Sequence, residues 1–128
     1  MPRLMSVAMT ADAVIRRVKT VTRRKGWLML KPGDRLTLCR KVQGRKHGEP
    51  LERLAEVEVV SVRRESLRAL TDDVDYGLSE TRLEGMADWA RFPSYFVEHY
   101  FVRAQGMAPG DEVTRIEWRY LDQGGEQP

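Results

Sequence analysis

At 128 residues and 14.8 kDa the chain matches one domain of ordinary size, long enough to bury an apolar core without disulfides or a metal to staple it. Its 41% hydrophobic and 32% charged residues exclude the composition of a disordered chain, and no run approaches the roughly 20 apolar residues of a membrane-spanning helix. The net charge of +3 permits a polyanionic partner without requiring one. With no uninterrupted apolar core of a secretory signal near its start, the chain reads as cytoplasmic and without membrane contact.

Leu4 to Met9 is an apolar run suited to a buried strand. Thr10 then offers an N-cap, with Asp12 in the first turn of a helix about two turns long. Val14, Ile15 and Val18 form its apolar stripe, with Arg16 and Arg17 pointing away. The β-branched Thr20, Val21 and Thr22 predict an extended segment over Lys19 to Arg24. Trp27 to Leu30 is a loop with apolar anchors, and Lys31-Pro32-Gly33-Asp34 reads as a tight turn.

Arg35 to Lys41 alternates as a strand, and its lone cysteine, Cys39, is most simply a small buried thiol. Gln43 to Pro50 has the glycines and proline of a loop. Leu51 to Glu65 is a long extended run with Ala55, Val57, Val59 and Ser61 on one parity, long enough to bend around a barrel. Thr71-Asp72-Asp73 supplies capping chemistry for a helical turn ending near Gly77. Pro93 suits the first turn of a helix carrying Tyr95, Phe96, Tyr100 and Phe101.

Glu112 to Leu121 alternates as a strand, with Ile116, Trp118 and Tyr120 inward and Arg115, Glu117 and Arg119 outward. One domain over 1–121 and a polar tail over 122–128 follow. This order predicts an α+β protein: a small, mostly antiparallel β-barrel, partly open, with short helices inserted between strands.

The basic residues are crowded early. Arg16, Arg17, Lys19, Arg23, Arg24, Lys25 and Lys31 meet no comparable acidic group except Asp12. A solvated surface explains such a cluster, and so does a nucleic-acid footprint. His47 and His99 are too separated for a zinc site, and capping explains Asp72, Asp73 and Asp75, so neither a metal nor another cofactor is expected.

The stretch Arg17-Val18-Lys19-Thr20-Val21-Thr22-Arg23-Arg24, followed by Lys31-Pro32-Gly33-Asp34, resembles the signature of the ASCH domain family. Ala55 to Val59, Glu84-Gly85 and Ile116-Glu117-Trp118 extend the resemblance across most of the chain. Each motif alone is unspecific; their order and spacing carry it. Where the family has a glycine before the lysine, this chain has Arg17. The resemblance implies a PUA-like barrel with a basic cleft for RNA, single-stranded nucleic acid or a modified nucleoside. Small bacterial members hydrolyse N4-acetylcytidine with a lysine, a threonine three positions later and a glutamate, which match Lys19, Thr22 and Glu84.

Two functions follow as expectations. The first is a binding module holding RNA or one nucleobase, with Arg17, Arg23, Arg24, Lys25 and Lys31 as cations and Trp27 as stacking platform. The alternative is an amidohydrolase in which desolvated Lys19 is the base, Thr22 the nucleophile and Glu84 the proton source. Residues 19 and 22 point to opposite faces of a regular strand, so Lys19 must lie at a turn for the two to meet. A regulatory adaptor for protein contact is the remaining alternative and needs an exposed apolar patch. Oligomeric state is not legible.

Overall fold

The computed structural model describes residues 2–122. Its strands are β1 (Arg3–Ser6), β2 (Val21–Arg24), β3 (Arg35–Cys39), β4 (Arg53–Ser66) and β5 (Glu112–Tyr120). They form one curled sheet in the order β1-β3-β4-β5-β2, with β1 parallel to β3 and every other pair antiparallel. This is the expected α+β half-barrel, and its open seam lies between the edge strands β1 and β2. Among the described residues, no helix is long and apolar enough to cross a membrane.

β4 is 14 residues long and does the bending. Its first half pairs with β3, its second with β5, and the register shifts between Val59 and Ser61. An extra residue at a bulge exchanges the two faces of a strand beyond it. Ala55, Val57 and Val59 therefore face the barrel core, but Ser61 pairs with Glu117 and Val62 takes over the inward position beside Ile116. The uninterrupted parity expected from the sequence ends at this bulge.

The barrel core gathers Met5, Leu36, Leu38, Val57, Val59, Ile116 and Trp118. A second core, of Leu67, Leu70, Phe96, Tyr100, Phe101 and Val113, lies under the helices on the other side of the sheet. These helices are α1 (Ala11–Ile15), α2 (Ala69–Asp72), α3 (Val74–Leu83) and α4 (Pro93–Phe96), which continues as a π-helical stretch over Val97–Arg103. Single 3-10 turns occupy Ala8–Thr10 and Ala87–Trp89.

Three local expectations are corrected. The first helix has five residues, and of its proposed stripe Val14 is buried while Ile15 and Val18 are exposed. It ends early because Arg17 adopts a left-handed conformation (φ 62°) that turns the chain into β2. α3 does not stop at Gly77 but runs through it to Leu83, with Asp73 accepting a capping hydrogen bond from the Tyr76 amide. Gly77 marks a close approach, since a Cβ there would strike the Leu70 carbonyl and the Pro93 ring. Arg115, expected outward, is buried because α3 covers that end of β5 and supplies Glu80 as its partner. Asp122 is held by the Arg17 guanidinium, and the rest of the expected tail, 123–128, lies outside the described residues.

Candidate functional site

Cross-strand partners share a face of the sheet. Arg23 pairs with Arg115, which pairs with Arg63, so three arginines form a row on the outer face. α3 lies over this row and presents Tyr76, Glu80 and Glu84, spaced by four residues and therefore on one side of the helix. Arg23 donates from Nε to Glu65 (2.9 Å) and from one terminal nitrogen to Glu84 (3.0 Å); the other donates to Glu80 and the Tyr76 hydroxyl. Arg115 donates to both carboxylate oxygens of Glu80, at 2.7 and 3.1 Å. Buried charges persist only when paired and hydrogen-bonded, and here every buried side-chain polar atom among the described residues has a partner.

Lys19 enters the same network from the loop before β2. Its carbonyl accepts hydrogen bonds from the Trp118 indole (3.0 Å) and the Tyr120 hydroxyl, both from the barrel side. With the backbone anchored there, the side chain runs to Glu84, where Nζ lies 3.0 Å from Oε1 and 2.9 Å from the main-chain carbonyl. Gly85 (φ 90°) permits this contact, because a Cβ there would collide with Ala13 and crowd Lys19. Burial lowers the Lys19 pKa despite the neighbouring Glu84 carboxylate, and the Arg24 and Arg23 charges add to the lowering. Burial works against the Arg23 charge too, but Glu84, Glu65 and Glu80 outweigh it and raise its pKa.

Thr22 pairs with Ile116 and so lies on the opposite face from Arg23, with its hydroxyl accepting from Arg24 Nε at 3.1 Å. Lys19 and Glu84 are thus brought together. Thr22 stands beside Arg24, and no hydrogen bond joins it to Lys19 among the described residues.

The other half of the Arg24 guanidinium donates to the Ser6 carbonyl at 2.7 Å, bridging the open seam from β2 to the end of β1. A recess of about 160 Å3 opens at this bridge, bordered by Arg23, Arg24, the 3-10 turn Ala8–Thr10, Tyr100 and Gln105. No carboxylate pairs with Arg24 among the described residues, and burial lowers its pKa. Tyr100 is buried against the second core, which raises its phenol pKa. The Gln105 side-chain amide donates to the Tyr100 carbonyl at 2.9 Å, which leaves its oxygen as an acceptor.

The early basic residues do not form one surface. Arg17 binds Asp122, the Val14 carbonyl and the Leu54 carbonyl; Lys25 pairs with Asp111 at 3.2 Å; Lys31 is exposed beyond the barrel turn. Trp27, also left-handed (φ 64°), packs against the barrel core. Sequence reasoning missed Glu80, Glu65, Tyr76, Tyr100 and Gln105. For three of the site's residues a signal was available: the four-residue spacing of Tyr76, Glu80 and Glu84 puts a phenol and two carboxylates on one helical face.

No protein-family model and no curated protein matches the chain. Solved structures do. A protein from Enterococcus faecalis V583 of the DUF984 family superposes with a TM-score of 0.56 at 13% identity, over 94% of this chain and 80% of that one. The ASCH domain from Lactobacillus crispatus JV V101 gives 0.54 at 16% identity, over 88% and 70%. This chain has the ASCH-domain fold. A mutant of the ASCH protein from Zymomonas mobilis gives 0.50 at 15% identity, over 97% and 77%.

Proposed function

We propose that this ASCH-fold chain is a nucleic-acid-binding module that seats one nucleobase of RNA, modified or not, in the seam recess. What supports this is Arg24: a largely desolvated guanidinium, without a carboxylate partner among the described residues, facing a hollow. Such a group favours an acceptor-rich ligand. At about 160 Å3 the recess falls below the roughly 300–1,000 Å3 of sites for drug-sized ligands, so it suits a single ring and not a whole nucleotide. Arg24 faces the carbonyl edge of such a base, Gln105 accepts from its amine, and Tyr100 forms a wall.

Calorimetric titration with cytidine, N4-acetylcytidine and a short RNA at two salt concentrations tests the reading. Arg24→Gln should weaken binding at least tenfold while circular dichroism stays unchanged. No binding of any of these at low salt, or equal binding by the variant, overturns it.

One observation favours a second reading, hydrolysis of N4-acylated cytidine. Lys19, with its pKa lowered by burial, is held 3.0 Å from the Glu84 carboxylate, the pairing the resemblance implies for an amidohydrolase. In its deprotonated form Lys19 takes the Thr22 hydroxyl proton as the oxygen attacks the acyl carbonyl. The C–N bond then breaks as the proton taken by Lys19 passes through the Glu84 carboxylate to the departing amine, and water cleaves the acyl-threonine, its proton returning to the Thr22 oxygen. Lys19 and Glu84 have no exposed surface and Thr22 faces the other side of the sheet, so this reading requires the loop before β2 to open and carry Lys19 to the Thr22 hydroxyl when substrate enters. Release of cytidine by the parent protein but not by Thr22→Val separates catalysis from binding.

A further inference from the structure

Hollows on the protein surface continue from the recess across the helical layer. The 3-10 turn Ala8–Thr10 borders the recess and also a hollow of about 230 Å3 that reaches Arg16. That hollow shares Arg16, Gly85 and Met86 with a groove of about 480 Å3, which shares Arg82 and Asp88 with another of about 500 Å3 ending on Arg91 and Phe92. Phe92 also borders a shallow hollow against Tyr95 and His99.

Arg16, Arg82 and Arg91 along this track are exposed, and among the described residues none has a carboxylate partner. Three acids, Asp12, Asp88 and Glu98, border the same track, and Glu98 is paired with Arg103, so the balance is cationic. Its far end is aromatic. Phe92 is 58% and Tyr95 47% exposed; Trp89 stands edge-on to Tyr95 with ring centroids 5.6 Å apart, and His99 lies against one Tyr95 face at 3.9 Å, which leaves its other face for a base. Unpaired arginines followed by exposed rings match the two needs of single-stranded nucleic acid, charge for phosphates and flat faces for bases. An acidic protein segment uses the arginines but has no need of the rings.

We propose that this track carries the nucleotides flanking the seated base. Arg16, Arg82 and Arg91 hold the phosphates of single-stranded RNA, and Phe92 and Tyr95 stack its bases. The inference rests on the nucleobase-binding reading of the recess and extends it from one base to a strand.

Fluorescence anisotropy with a labelled oligocytidine decamer, beside calorimetry with cytidine monophosphate, tests it. The decamer should bind the parent protein more tightly than the mononucleotide. In the triple variant Arg16→Gln/Arg82→Gln/Arg91→Gln, decamer affinity should fall toward that of the mononucleotide, whose own binding stays unchanged. At about 0.7 per phosphate contact, the slope of log affinity against log salt should flatten by about 2. Phe92→Ala alone should weaken the decamer by about tenfold. Unchanged decamer affinity and salt slope in the triple variant overturn the proposal. So does displacement by a polyglutamate peptide together with indifference to Phe92→Ala, which points to an acidic protein partner. Decamer binding that needs the three arginines, without any mononucleotide binding, supports the track and overturns the seated-base reading instead.

Discussion

Lys19 and Glu84 stand 65 positions apart in the chain and meet with Nζ 3.0 Å from Oε1, where neither has any exposed surface. Glu84 also receives Arg23 on its second oxygen at 3.0 Å, so one carboxylate neutralises parts of two buried cations. This turns a lysine expected to line an open cleft into a structural element as well.

Removing one partner of a buried ion pair leaves the other uncompensated. Lys19→Met should destabilise the protein by about 3–5 kcal/mol in urea unfolding. Because Glu84 serves both Lys19 and Arg23, the losses of Lys19→Met and Glu84→Gln should not add in the double variant. A single variant as stable as the parent would show that the pair contributes nothing to the fold.

Glu80 gives the fold an acid sensitivity. Burial pushes its carboxyl up, but the hydrogen bond from Arg115 and the charge and hydrogen bond of Arg23 outweigh it and hold the pKa below the ordinary 4.5. For a carboxyl lowered in the folded state, the stabilisation is complete above the unfolded value and is lost as pH falls through the folded one. Stability should therefore drop with decreasing pH below about 4.5, and Glu80→Gln should be less stable at neutral pH but flatter across that acid range. Chemical denaturation at a series of pH values reads both.

Gly77→Ala tests the close approach of α3 to its neighbours. Alanine gains about 1 kcal/mol in intrinsic helix preference. Here the added methyl meets the Leu70 carbonyl and the Pro93 ring, an overpacking cost of about 1–3 kcal/mol or more. The expected result is a lower melting temperature, where an exposed helical glycine would give a higher one.

Arg17 has a φ of 62°, the left-handed geometry that glycine adopts without strain. The guanidinium offsets that strain through Asp122, the Val14 and Leu54 carbonyls and a place over the Tyr120 ring. Arg17→Gly should stay within about 1 kcal/mol of the parent, the relief of a left-handed residue, about 1–2 kcal/mol, balancing the lost contacts. Arg17→Val keeps the strain and loses the contacts, so it should melt below the glycine variant.

The sequence by itself determined the strands, the Pro-Gly-Asp turn and the inward trio Ile116, Trp118 and Tyr120, because alternation and turn chemistry are local; the ASCH-type fold followed from the resemblance of its ordered motifs. It also singled out Lys19 and Glu84, through motif order. What surrounds a side chain is set by elements distant in the chain, and there local pattern fails. Arg23 reads as a surface cation until α3 brings Glu80, 57 positions away, onto it, and Arg115 reads as outward until the same helix covers its face. The bulge before Ser61 exchanged the faces of β4, and the close approach at Gly77 made a helix interior of an apparent stop. Tertiary structure alone decided that the early basic cluster splits into buried partners, scattered surface pairs, the exposed cations Arg16 and Lys31, and Arg24 at the seam. Desolvation and ion pairing act through space, and a row of arginines carries no record of which carboxylates the fold will bring to it.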